Sequence, residues 1–187
     1  MLTEKKLIHD CQRGEKQAQY LLVKRYSGML LSVCRRYARD EAMAKDVLQE
    51  TLIRIFQNIE KYEHTGSFEA WMRRIAVRRS LQWLEKSSFQ NELQPVELPD
   101  ADFVEPAIYG RLGAEEIMSL LQELPEGFRT VFNLNVVEGY AHAEIAELLN
   151  ITESTSRSQL ARARKILKEK LLQLKKTSRY EVAIVQK

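Results

Sequence analysis

One stretch divides this chain and limits what it can fold into. Residues 87–112 hold three of the four prolines, Pro95, Pro99 and Pro106, together with Glu92, Glu97, Asp100, Asp102 and Glu105. Proline denies a helix its hydrogen bonds and clustered like charges repel, so a segment of this makeup serves as a linker and not as a core element. The 187 residues are therefore expected to form two small domains, one on each side of it.

Both flanks carry helical periodicity. In the first, Leu21, Leu22, Tyr26, Met29, Leu30 and Val33 recur at intervals of three and four, with Gly14 and Gly28 as the expected breaks. Val47, Leu48, Leu52, Ile55, Phe56 and Ile59 make a second stripe over residues 42–59. Phe68, Trp71, Met72, Ile75 and Ala76 make a third, capped by Ser67 and running to about Lys86. Beyond the linker the pattern predicts helices over 114–124, 128–137 and 141–149. A tight turn, Asn150-Ile151-Thr152, then leads into a long helix from Glu153 towards Leu174, with Thr152 as its cap. No stretch alternates as a strand would. The expected fold is all-α: a helical domain over 1–86, an acidic, proline-containing linker over 87–112, a second helical domain over 113–175 and a tail over 176–187.

The formal net charge of +3 conceals a partition. Residues 1–86 carry 17 basic and 11 acidic side chains, and the linker 1 and 5. Residues 113–156 carry 1 basic and 8 acidic side chains, whereas residues 157–187 carry 10 and 2, a local charge of +8. A positive field this concentrated suits nucleic acid. The longest uncharged apolar run, around Met29 to Cys34, falls far below the ~20 residues of a membrane span, and the charged N-terminal residues lack the apolar core of a secretory signal. The expected location is cytoplasmic. Cys11 and Cys34 are too few for a disulfide framework and are expected as reduced thiols. His9 and Cys11 point to different faces of a helix, so neither a metal nor another cofactor is expected.

The strongest local pattern is the short helix, tight turn and long helix of a helix-turn-helix over 141–170. On a helical wheel Leu160, Ala163, Leu167, Leu171 and Leu174 share one side. Thr155, Ser158, Gln159, Arg162 and Lys165 fall roughly opposite and are expected to face out, with Gln159 and Arg162 suited to bidentate base contacts. Arg157, Arg164 and Lys168 flank them as phosphate contacts. On this segment alone, a solvated basic face of an ordinary bundle helix is the competing explanation.

A second constellation lines up Arg74, Arg78, Gln82 and Lys86 at four-residue spacing, thickened by Arg73 and Arg79. Aromatics interleave with it, and a nucleobase stacked on an aromatic ring gains about 1–3 kcal/mol, so the pattern suits single-stranded nucleic acid. Phe68 and Trp71 lie on the apolar stripe and are assigned to the core, leaving Tyr62 and Trp83 as exposed platforms. A third set, Asp46, Gln49 and Glu50, occupies the polar side of a helix expected to bury Val47 and Leu48, by default a solvated face. Phosphate-loop, nucleophile-elbow and metalloprotease patterns are missing, and no enzyme is expected.

These residues resemble the extracytoplasmic-function (ECF) group of bacterial RNA polymerase sigma factors, of the sigma-70 family, over about residues 7–172. Asp46-Val47-Leu48-Gln49-Glu50-Thr51 is similar to the family's core-polymerase-docking helix of region two. Phe68-Glu69-Ala70-Trp71-Met72-Arg73-Arg74-Ile75-Ala76 is similar to its promoter-melting segment. Leu124-Pro125, Phe128-Arg129-Thr130-Val131-Phe132, Glu144-Ile145-Ala146 and Ser158-Gln159-Leu160-Ala161-Arg162-Ala163-Arg164 resemble region four.

The resemblance implies a region-two bundle over 1–86 and a region-four helix-turn-helix over 113–175. Asp46, Gln49 and Glu50 would bind core RNA polymerase. Tyr62, Arg74, Arg78, Arg79, Gln82, Trp83 and Lys86 would act on the minus-ten element, double-stranded and then melted. Thr155, Arg157, Ser158, Gln159, Arg162, Arg164 and Lys165 would contact the minus-thirty-five element. It also allows for an anti-sigma partner. The family often has Asn at the position of Arg78, an acidic residue at Gln82 and a basic one at Glu85. A DNA-binding regulator with a helical sensing domain and a purely protein-binding adaptor are the rival classes.

Overall fold

Helix caps set the first three turns of chain. The computed structural model describes residues 3–63, 65–85 and 119–185. The Thr3 hydroxyl accepts from Lys6 N at 3.4 Å to start α1 (Glu4–Gln12), and Asp40 Oδ1 accepts from Met43 N at 2.7 Å to start α3 (Glu41–Asn58). Between them runs α2 (Lys16–Tyr37). Gly14, at φ +76°, supplies the left-handed residue that reverses the chain after α1. Gly28, expected as a second break, instead lies inside α2, where tertiary packing outweighs a helix-propensity cost of about 1 kcal/mol. A 3₁₀ turn (Ile59–Lys61) ends α3, and Ser67 Oγ accepts from Ala70 N to cap α4 (Phe68–Glu85).

The chain divides into two compact units, Met1–Ser88 and Phe89–Lys187. In the first, α2, α3 and α4 pack pairwise, with α1 laid on α2. Leu22, Leu30 and Val33 of α2 meet Val47 and Ile55 of α3 and Met72, Ala76 and Leu84 of α4, all fully buried. At this meeting point the side chains are small and weakly polar. Thr51 and Ser80 donate to carbonyls one turn back, Val47 O at 2.7 Å and Ala76 O at 2.9 Å, and both hydroxyls hydrogen-bond the Cys34 thiol. Burial pushes that thiol up to about 11, and Cys11 likewise to about 11.

In the second unit α5 (Glu126–Phe132) and α6 (His142–Leu149) both pack on α7 (Glu153–Val185). The helix expected over 128–137 starts earlier and changes character. From Asn133 to Val137 it widens into a π-helical turn, with Glu138 N bonded to Asn133 O at 2.9 Å. Asn150, at φ 52°, makes the tight turn after α6, and its N–H donates to Ala146 O. The long helix runs to Val185, beyond the expected boundary at 175, because no glycine or proline occurs after Thr152 to end it. The expected linker, 87–112, lies outside the described residues. Every regular element among the described residues is helical, and no described helix is long and apolar enough to cross a membrane.

Candidate nucleic-acid interface

The chain leaving α3 and entering α4 is pinned by aromatic packing. Tyr62 lies against Phe68 and Trp71 at centroid distances of 5.0 and 5.4 Å, Phe68 stacks on Trp71 at 5.5 Å, and Tyr26 meets Phe68 edge-on at 5.9 Å. The Tyr62 hydroxyl donates to Gly66 O. Tyr62 is therefore only 8% exposed, not the free platform expected, because its ring closes over the start of α4. Trp71, assigned to the core, instead keeps part of its ring at the surface. With Lys61, Tyr62, Gly66, Ser67 and Arg74 it lines an open cleft of about 250 Å³.

Along α4, Arg74, Arg78 and Gln82 are exposed and Trp83 is half-buried. Lys86 lies outside the described residues. Arg79 departs from the expected DNA-facing line: it bonds Glu50 of α3 in an ion pair and donates to Gln82 Oε1 at 2.6 Å. Glu50, expected on the polymerase-facing side, is thereby turned towards α4. Asp46 and Gln49 are exposed, and one turn beyond them Ile53 presents an apolar side chain that is 49% exposed.

In the helix-turn-helix, Thr152 Oγ1 accepts from Thr155 N at 3.0 Å, the cap expected for α7. The outward placement of Thr155 and Gln159 requires correction, since they are 4% and 2% exposed. Both α5 and α6 pack on α7, so its buried arc is wider there than its leucines indicate. Leu174, expected to pack, is exposed. The surface that results carries Arg157 and Lys165, with Ser158, Arg162, Arg164 and Lys168 half-exposed beside them. Ser158 donates to Thr155 O at 2.9 Å, and the Arg162 guanidinium lies 6.0 Å from the Phe128 ring centroid, a cation–π contact that holds it against α5. Arg157 pairs with Glu153 at 2.9 Å.

His142, which sequence reasoning passed over, joins α6 to α7: its Nδ1 lies 2.8 Å from the fully buried Ser156 hydroxyl. Burial lowers the imidazole pKa below its ordinary value, and the charges of Arg157 and Arg164 lower it further, against Glu153. The signal available in the sequence was a histidine at the first position of the first helix, which no periodicity argument singles out. Among the described residues no cluster of three His, Cys, Asp or Glu side chains suits a metal ion.

A helical bundle with a basic and aromatic face, carried in one chain with a basic helix-turn-helix, fits a nucleic-acid-binding protein. The chain matches Sigma-70 region 2 over residues 22–89 and Sigma-70, region 4, over residues 114–167. It is 28% identical over 182 residues to an ECF RNA polymerase sigma-E factor of Haemophilus influenzae, covering 91% of this chain and 96% of that one. It is 29% identical over 186 residues to the RNA polymerase sigma-H factor of Pseudomonas aeruginosa, with coverage of 91% and 96%. Among solved structures, the sigma factor RpoE in complex with the anti-sigma factor NepR from Bartonella quintana shares the fold. Its TM-score is 0.51 at 22% identity, covering 82% of this chain and 96% of that one. The chain belongs to the sigma-70 family, as a sigma factor of the ECF group that directs transcription initiation by RNA polymerase.

Proposed function

We propose how the surfaces divide this work. Domains over 1–86 and 113–175, joined by the acidic linker over 87–112, act at two places on one promoter. Asp46 and Gln49, with the exposed Ile53 one turn beyond them, dock on core polymerase, where apolar contacts bordered by polar ones are the usual anatomy of an interface. Arg74, Arg78 and Gln82 follow the strand of the minus-ten element. The cleft beside Trp71 takes an unstacked base, so that opening of the duplex is favoured by a contact only a melted strand offers. Arg157, Ser158, Arg162, Arg164 and Lys165 contact the minus-thirty-five element, and Thr155 and Gln159 hold α7 against α5 and α6.

The observation that carries this reading is the cleft, because a duplex-binding regulator has no use for an aromatic-walled pocket beside a line of arginines. The named relatives make an anti-sigma partner and a cytoplasmic site of action part of the same proposal. Run-off transcription with purified core polymerase tests it. A promoter-specific transcript is expected, and duplex binding without any transcript would favour a regulator instead.

A further inference from the structure

His142 belongs to none of the surfaces assigned above. Its Nδ1 faces the Ser156 hydroxyl, which is fully buried in the first turn of α7, whereas the histidine itself is half-exposed. Nε2, across the ring, therefore faces solvent. With Nδ1 engaged by the Ser156 hydroxyl, Nε2 is the ring nitrogen left to meet a ligand, and in the protonated ring it carries an N–H. The result is an N–H donor aimed outward from the start of the helix-turn-helix.

The charges around this donor are mostly positive. Arg157 and Arg164 approach it from α7, as does one carboxylate, Glu153, which is held by Arg157 in an exposed pair. Exposed pairs of this kind are weak and give way to a stronger anion. The π-helical turn is also packed on α6 and brings only Asn133, Leu134, Asn135, Val136 and Val137, none of them ionisable. On α6 itself, Glu144 is occupied with the Ala141 N–H at 2.8 Å. In a helix-turn-helix the first helix crosses the DNA backbone beside the groove that the second one enters.

Resting on the assignment of α7 to the minus-thirty-five duplex, we propose that His142 donates through Nε2 to a backbone phosphate at that site, alongside Arg157 and Arg164. A solvent proton is taken up at Nδ1 as the complex forms. The protonated Nδ1 then donates to Ser156 Oγ, whose own hydrogen turns to the Thr152 carbonyl one turn back. In the free chain burial and the two arginines keep the ring neutral, and the arriving phosphate reverses that preference.

The test uses the full chain assembled with core polymerase, on a promoter duplex and on the same duplex with its minus-thirty-five element scrambled, at pH 6.0 and 8.0. The native chain is expected to gain about fivefold in affinity at the lower pH relative to His142→Gln, which keeps a donor but does not titrate. His142→Lys, permanently charged, is expected to lose the pH dependence and keep the tighter binding at pH 8.0. Parallel pH profiles for the native chain and His142→Gln, with discrimination against the scrambled duplex intact, would overturn the role of His142 alone. If the native chain does not discriminate between the duplexes, the assignment of α7 fails and this proposal with it.

Discussion

Arg79 of α4 and Glu50 of α3 neutralise each other across the crossing of the two helices, with side-chain exposures of 21% and 33%. A residue expected to touch DNA and one expected to touch polymerase thus form a strut between the two surfaces. Partial burial makes the pair stronger than an exposed one, and loss of either partner leaves a charge with reduced access to water. A double-mutant cycle of Glu50→Gln and Arg79→Gln, measured by denaturant unfolding, should return a coupling of about 1 kcal/mol. Additive single effects would mean that the strut does not exist in solution.

Trp71 and Arg74 should matter more for opening DNA than for holding it. Trp71→Ala removes one wall of the cleft, and Arg74→Ala removes a cation beside it. Loss of a stacking contact of about 1–3 kcal/mol should slow open-complex formation roughly tenfold or more. The check is a fluorescent base analogue in the minus-ten element, with closed-complex affinity measured in parallel. Equal losses in both measurements would assign these residues to duplex binding.

Gln159 and Lys165 separate packing from recognition within one helix. Gln159→Ala should lower stability by about 1–2 kcal/mol through the polar groups it leaves unmatched in the interior, with promoter preference unchanged. Lys165→Ala should leave stability within about 0.5 kcal/mol and flatten the salt dependence of DNA binding by about one phosphate contact. Paired thermal melts and salt titrations of binding distinguish the two. A change of sequence preference in Gln159→Ala would return that side chain to the DNA surface.

Protonation should destabilise the free chain through His142. Its pKa is lowered on folding from 6.5, so above that value the ring is neutral in both states and adds nothing. As pH falls below 6.5 the unfolded chain takes up the proton first, and stability is lost until the folded ring is protonated as well. Thermal midpoints between pH 7.5 and 5.5 should therefore fall more steeply for the native chain than for His142→Gln. Identical slopes would place the ring in open solvent.

The helices were legible because their information is local. The stripes through Leu22 and Leu30, Val47 and Ile55, and Leu160 and Leu167 each lie within one element, and Ser67 and Thr152 mark their own caps. The errors arise where a second or third helix decides. Gln159 is polar and sits off the leucine stripe, yet α5 and α6 cover it. Arg79 joins a line of arginines in sequence, but a carboxylate on α3 turns it away. Tyr62 and Trp71 exchange roles because the turn at Gly66 folds one ring inward and leaves the other at a cleft. The one-residue widening at Asn133 has no compositional mark.

Cys34 sits where α2, α3 and α4 meet, fully buried among hydroxyls. A thiol reacts with peroxides and disulfides through its thiolate, and at a pKa of about 11 almost none is present near neutrality. Cys11 is in the same position. Both thiols of the folded chain should therefore react only slowly with peroxides and disulfides, and purification without reductant should leave Cys11 and Cys34 reduced.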